Sequence, residues 1–253
     1  GGQLTYGNIK GYLLSQGFDL VKDGDLFSHL PSGALGVHDE YMFSEFKNEL
    51  GKLPQPFMSA LFTISSHSPY DFPAEHKLSF NSKQDEYVNS VAYTDKCLGN
   101  FLKSVKNEHW YANTLFVIVA DHSHNSPMNR RVAQREKFHI PMLWYGEVLD
   151  KVFRGGKWDK VSSHIDITPT ILSQLDIKLD NDFSGIDALN KNNIGFAPYS
   201  FVRGYGMVKK NSNYAYSINY KRPLEENYSD SSDMIRKESE MFIQYSFQKY
   251  LNY

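Results

Sequence analysis

Cysteine is nearly absent from this chain of 253 residues: the single Cys97 allows no internal disulfide and no cysteine-based zinc cluster, and it leaves the redox compartment open. An excess of one charge is also missing. Lys and Arg number 27 against 29 Asp and Glu, a formal charge of -2, so no basic surplus advertises a polyanion-binding surface and no nucleic-acid partner is expected. No run of about 18 apolar residues occurs, and the opening GGQLTYGNIKGYLL lacks the charged-then-apolar layout of a signal peptide. These residues are therefore expected neither to span a membrane nor to direct their own export. The chain opens on Gly1-Gly2 and not on Met, which reads as a tag remnant or as a cut inside a longer protein. Repeats, low-complexity tracts and a dividing linker are lacking as well, so one domain over residues 1–253 is the economical reading.

What is present is a globular composition, with 41% hydrophobic, 22% charged and 15% aromatic residues. A chain of this length buries roughly 73% of its unfolded surface, enough for a full core. Apolar positions at helical spacing predict helices over Thr5–Gln16, over Asp39–Leu50 with Asp39 as cap, and over Gln84–Val105. FMSALFTIS (57–65), TLFVIVAD (114–121) and HIPMLWYG (139–146) read as buried strands, and a further helix starts at Asp166 with Pro169 in its first turn. Strands alternating with amphipathic helices imply an α/β fold with a largely parallel sheet covered on both faces. Beyond Ile194, two alternating strands joined by an Asn/Ser turn predict an antiparallel edge hairpin; a polar loop over 223–233 and a closing helix over 234–250 follow.

The stretch most informative about chemistry is TLFVIVADHSHN, where an apolar strand runs straight into Asp121, His122 and His124. Ligands of open parallel sheets sit beyond the carboxyl ends of strands, and an adjacent carboxylate and imidazole suit Zn²⁺ or Mn²⁺. Two donors do not complete a metal centre. The alternative is that Asp121 caps a turn while His122 is an ordinary hydrogen-bonded loop histidine. His67 follows the other apolar strand in the same way and can donate to an anionic group, the alternative being a turn histidine satisfied by backbone. His139 and His164 stand at element boundaries. Arg130 and Arg131 offer fork-shaped contacts to a phosphate or sulfate, with a solvated charge run as the simpler account.

Taken in order, LGVHDEYMF, TISSHSPYDFP, YTDKCLGNFL, FVIVADHSHN, FHIPMLWYG and SSHIDITPTIL resemble the sulfatase-like family of the alkaline phosphatase superfamily, most of all its lipoteichoic acid synthase and phosphoglycerol transferase branch. The resemblance covers about Gly2 to Leu175. It implies a three-layer α/β/α sandwich and a divalent metal, Mn²⁺ or Zn²⁺ with Mg²⁺ or Ca²⁺ as alternatives, held in part by Asp121 and His122. It implies that His67 contacts the substrate's phosphate or sulfate group, with His124, His139 or His164 orienting substrate or protonating the leaving oxygen. Two departures stand out. Ser123 and His124 follow the Asp-His pair where relatives usually have Gly, and Leu35-Gly36-Val37-His38-Asp39 stands where Trp-Gly often precedes an acidic pair, which leaves His38 as a substitute polar contact.

The family's nucleophile, a Thr or a modified Cys or Ser, lies upstream of the equivalent of Gly1, and Thr5 opens a helix with no strand before it. The chain is therefore expected to be the carboxyl-terminal part of a catalytic domain. The parent would be an extracytoplasmic, metal-dependent enzyme of a bacterial cell membrane, acting on the phosphodiester or sulfate ester of an anionic phospholipid or a sulfated or phosphorylated glycan through a covalent intermediate. Membrane attachment would come from upstream residues. A true sulfatase acting on sulfated glycans is the alternative enzyme. A non-catalytic module binding anionic glycans, with 17 Phe and 17 Tyr as stacking surface, is the alternative of another class.

Overall fold

A computed structural model describes residues 2–75, 77–79, 84–125, 128–178, 183–228 and 234–252. The chain forms two compact units, one of Gly1–Phe116 with Tyr145–Leu149, the other of Val117–Trp144 with Asp150–Tyr253.

The first unit holds helix α1 (Ile9–Ser15), the short antiparallel strands β1 (Ser32–Gly33) and β2 (Gly36–Val37), and helices α2 (Asp39–Leu50) and α3 (Asp85–Ser104). The helix expected from Thr5 starts only at Ile9, because Gly7 and Asn8 take left-handed dihedrals that break the helical path. α2 and α3 bury Phe43, Leu50, Tyr93, Cys97, Phe101 and Val105 against Trp110 and Tyr111. Phe43 and Phe101 lie 5.2 Å apart, and Phe72 stacks on Tyr93 at 5.4 Å. The run 57–65 is no strand. A strand exists only as one side of a hydrogen-bonded ladder, and among the described residues no ladder forms over this run; Met58 and Phe62 stay exposed.

Strands β3 (Phe116–Val119) and β4 (Met142–Tyr145) pair with each other and are shorter than the apolar runs that contain them. Among the described residues they are all that forms of the expected three-strand ladder. In the second unit, helix α4 (Ile167–Gln174) follows a turn of 3₁₀ helix over His164–Asp166. Beyond it, the expected two-strand hairpin is a four-stranded antiparallel meander: β5 (Phe196–Phe201), β6 (Gly204–Lys209), β7 (Ser212–Ser217) and β8 (Arg222–Asn227). The polar residues after Arg222 pair as an edge strand because cross-strand backbone bonds and the small apolar face outweigh their low strand propensity. Residues 229–233 of that expected loop lie outside the described residues. Helix α5 (Met234–Leu251) covers one face of this sheet through Ile235 against Met207 and Tyr214, and Phe242 meets Phe196 edge-on at 6.0 Å.

Candidate active site

The first unit gathers His38 and His67 at one small cleft, lined also by Gly33, Ser65 and Asp71. His38 is the residue that enters α2, and Asp39, expected to cap that helix, instead sits at its first position with its side chain turned elsewhere. The Asp39 carboxylate is fully buried. Its Oδ1 accepts from the backbone N–H groups of Ile64 at 2.8 Å and Ser65 at 3.1 Å, and its Oδ2 accepts from the Thr94 hydroxyl at 2.6 Å. The Asp39 N–H donates to Ser65 Oγ at 3.0 Å in return. This knot ties α2 and α3 to the segment that turns at His67, where His67 N–H donates to Ile64 O and Tyr70 N–H to His67 O. His67 itself is exposed; its Nδ1 donates to Ser68 O at 2.8 Å, since a carbonyl can only accept, and Nε2 is left as the nitrogen that can meet a ligand.

Asp71, which sequence reading passed over, accepts from Ala34 N–H at 3.3 Å. A Cβ at Gly33 would stand 2.8 Å from Asp71 Oδ2 and 3.0 Å from His38 Cε1, so the close approach of these two side chains requires glycine there. Asp71 sits in a turn, SPYDFP, whose composition already explains an aspartate, and no pattern set it apart.

In the second unit, Asp121 and His122 follow the end of β3 and are both well exposed. His122 Nδ1 donates to Ser123 O at 2.9 Å, which leaves the Nε2 lone pair 3.6 Å from Asp121 Oδ2. His164, opening the 3₁₀ turn, donates from Nε2 to Ala120 O at 2.7 Å and so stands against the same strand end, with Nδ1 as its remaining nitrogen. Metal-bound histidines characteristically hold their second ring nitrogen on a backbone carbonyl or carboxylate, and both rings have that arrangement here. Neighbouring ligands of a tetrahedral ion with ~2.0–2.1 Å bonds lie ~3.3 Å apart, close to the Asp121–His122 separation. The pair thus fits two positions of a divalent ion, while no group of three or more His, Cys, Asp or Glu able to hold one is assembled among the described residues.

His124 is partly buried, and that burial, with the charge of His122 behind it, lowers its pKa from the ordinary histidine value. His139 is exposed on the loop before β4, and the hydrogen bonds that fix the His122 and His164 rings among the described residues run to Ser123 and Ala120 and not to it. The arginine pair is engaged elsewhere: Arg130 donates to Glu136 O, and Arg131 pairs with Glu225 at 3.0 Å. The turn bearing His164 rests on Asp166, nearly inaccessible, whose carboxylate accepts from Ser163 N–H and Ile186 N–H, each at 2.8 Å. Burial raises the Asp166 pKa, and those two donors oppose the rise.

Comparison with known proteins gives the chain its family. The family model described as Sulfatase matches residues 3–177. A lipoteichoic acid synthase-like protein, YvgJ, of Bacillus subtilis is 28% identical over 229 residues, covering 79% of this chain and 36% of its own length. The lipoteichoic acid synthase of Staphylococcus aureus is 26% identical over 190 residues, 69% of this chain and 27% of that protein, so this chain spans about a third or less of such relatives. Among solved structures, a protein in the alkaline phosphatase superfamily from Vibrio parahaemolyticus superposes with a TM-score of 0.82 at 24% identity, over 100% of this chain and 64% of that one. The lipoteichoic acid synthase LtaP from Listeria monocytogenes gives 0.78 at 22%, over 99% and 68%. These neighbours share the α/β fold expected from the alternating strands and helices. With the family match extending over most of its length, the chain belongs to the sulfatase family.

Proposed function

We propose that the chain carries part of the catalytic machinery of a phosphoglycerol-type transferase, an enzyme that breaks the phosphodiester of an anionic phospholipid headgroup. The observation that carries the reading is the end of β3, where Asp121 and His122 present an oxygen and a ring nitrogen 3.6 Å apart and His164 is fixed by the carbonyl just before them. Asp121 and His122 would hold a divalent ion, Mn²⁺ or Zn²⁺. Such an ion supplies Lewis-acid stabilisation of charge on the transferred group and activates a nucleophile.

The chain's own residues bind and orient. His67, with Nδ1 fixed on Ser68 O, donates from a protonated Nε2 to a phosphate oxygen, and His38 with Asp71 borders the same cleft as polar contacts for a headgroup. His124, which burial keeps neutral more readily, orients the substrate or passes a proton at the leaving oxygen. His164 holds the strand end through Ala120 O, and His139 takes at most a peripheral part. The nucleophile comes from a segment outside this chain, consistent with the third of the solved neighbours' length that it does not span. In that reading the reaction runs through a covalent enzyme intermediate at the extracytoplasmic membrane face.

Calorimetric titration of Mn²⁺ and Zn²⁺ into the chain tests the metal half of the reading: weak binding is expected, and it disappears in Asp121→Ala. Turnover of phosphatidylglycerol against a sulfated aryl ester by the full-length protein tests the substrate half. Preference for the sulfate ester would replace the transferase reading with a sulfatase.

A further inference from the structure

The β5–β8 meander lies far in sequence from Asp121, His122 and His67. In an antiparallel meander alternate turns share one end of the sheet, so the β5–β6 turn and the β7–β8 turn emerge side by side. Ile218 N–H donates to Arg203 O at 2.9 Å and stitches the two tips together. The joined tips expose apolar side chains to an unusual degree: Val202 is 86% exposed, Tyr220 71% and Ile218 54%. Cations surround them. Arg203, Lys221 and Arg222 are all exposed, Arg222 lies over the Tyr220 ring at 6.0 Å, and no acidic residue falls within 201–204 or 217–223.

Two of the cations stand where the backbone resists them. Arg203 and Lys221 adopt left-handed dihedrals, with φ of 55° and 50°. Glycine or asparagine occupies such turn positions with less strain, so the long basic side chains are not there for the turn's sake. A protruding tip that combines aliphatic and tyrosine side chains with uncompensated cations matches the chemistry of an anionic bilayer surface: apolar groups enter the headgroup boundary while the cations meet lipid phosphates.

We propose that the paired β5–β6 and β7–β8 tips are a peripheral membrane-contact surface for anionic lipid bilayers. It is separate from any headgroup bound as substrate, and it orients the second unit on the membrane.

The test is cosedimentation of the chain with phosphatidylcholine vesicles containing phosphatidylserine, compared with pure phosphatidylcholine. Phosphatidylserine carries the negative charge without the glycerol headgroup that the proposed reaction uses. Binding to the charged vesicles is expected, falling as salt rises. The triple variant Arg203→Gly, Lys221→Asn, Arg222→Gln keeps or eases the turn geometry. It should lower the partition coefficient by about a hundredfold, roughly fivefold per cation removed. Val202→Ser with Tyr220→Ser should lower it about tenfold. As a measurement independent of those variants, Val202→Cys labelled with an environment-sensitive dye should shift to the blue on the charged vesicles, since the native Cys97 is buried and escapes labelling. His67→Ala should bind vesicles like the parent.

No binding to the charged vesicles, no dye shift, or full binding by the cation-free variant would each overturn the proposal. So would loss of binding in His67→Ala alone, which would assign it to the headgroup cleft. Tip variants that change only the sedimentation mass of the chain would assign the surface to a second copy instead, and equally overturn it.

Discussion

Replacing Asp39 should be among the most damaging single changes in the first unit, and the structure says by how much. The carboxylate takes two backbone N–H groups and one hydroxyl in a fully buried position. Asp39→Ala strands both N–H donors; each buried unsatisfied donor costs about 1–3 kcal/mol. Thr94 can rotate its hydroxyl to another acceptor, and deleting a buried charge recovers part of its desolvation penalty. The net loss is about 2–5 kcal/mol, a large share of the ~5–15 kcal/mol that holds a domain folded. Asp39→Asn keeps one oxygen for both N–H groups and turns its amide toward Thr94, which then accepts, so its cost should be about 1–2 kcal/mol. Denaturant unfolding followed through Trp110, buried in the same unit, reads the loss. Hydrogen exchange at Ile64 and Ser65 reads it locally, and both amides should lose protection in Asp39→Ala and keep most of it in Asp39→Asn. An Asp39→Ala protein within 1 kcal/mol of the parent, with those amides still protected, would refute the reasoning.

Further outcomes are expected elsewhere. Asp166→Ala removes the acceptor for Ser163 and Ile186 N–H and should cost about 2–5 kcal/mol, with Asp166→Asn milder, as measured by thermal or denaturant unfolding. Asp23 is buried and takes a hydrogen bond from Lys10 at 2.8 Å that lowers its pKa from 3.8. Its carboxylate therefore adds stability above pH 3.8, which is lost as pH falls through the lower folded value, and Lys10→Met should remove that acid-side slope. Burial pushes the Cys97 thiol up to about 11, so iodoacetamide should leave the native protein unmodified at neutral pH and alkylate it only on unfolding. Gly33→Ala drives a methyl toward Asp71 and His38 and should destabilise by about 1–3 kcal/mol, with a visible shift of the His38 ring resonances.

The helices were legible from sequence because apolar spacing reports directly on a buried face: α2 forms over the residues its spacing marks, and α3 is one residue shorter at each end. Strands were less so. Apolar character alone told that 57–65, 114–121 and 139–146 were strand-like, but a strand needs a ladder, and among the described residues none forms over the first run. The meander was half visible; β8 reads RPLEEN, and only its pairing with β7 makes it a strand. At the candidate site, adjacency in sequence exposed Asp121 and His122, and a strand-end pattern exposed His67. The link from His164 to Ala120 joins residues 44 apart, and the grip of Asp39 on Ile64 joins residues 25 apart. Neither leaves a local signal, since an aspartate or a histidine at a helix start has a sufficient local reason to be there.

The central claim is that Asp121 and His122 bind the ion that supports ester transfer. It is tested most directly by phosphatidylglycerol turnover in the full-length protein with Mn²⁺ supplied after chelation, comparing the parent with Asp121→Ala and His122→Ala. The account predicts activity that chelation abolishes and Mn²⁺ restores in the parent, and a loss of at least about a thousandfold in both variants. Turnover that survives Asp121→Ala, or that ignores the chelator, would contradict it.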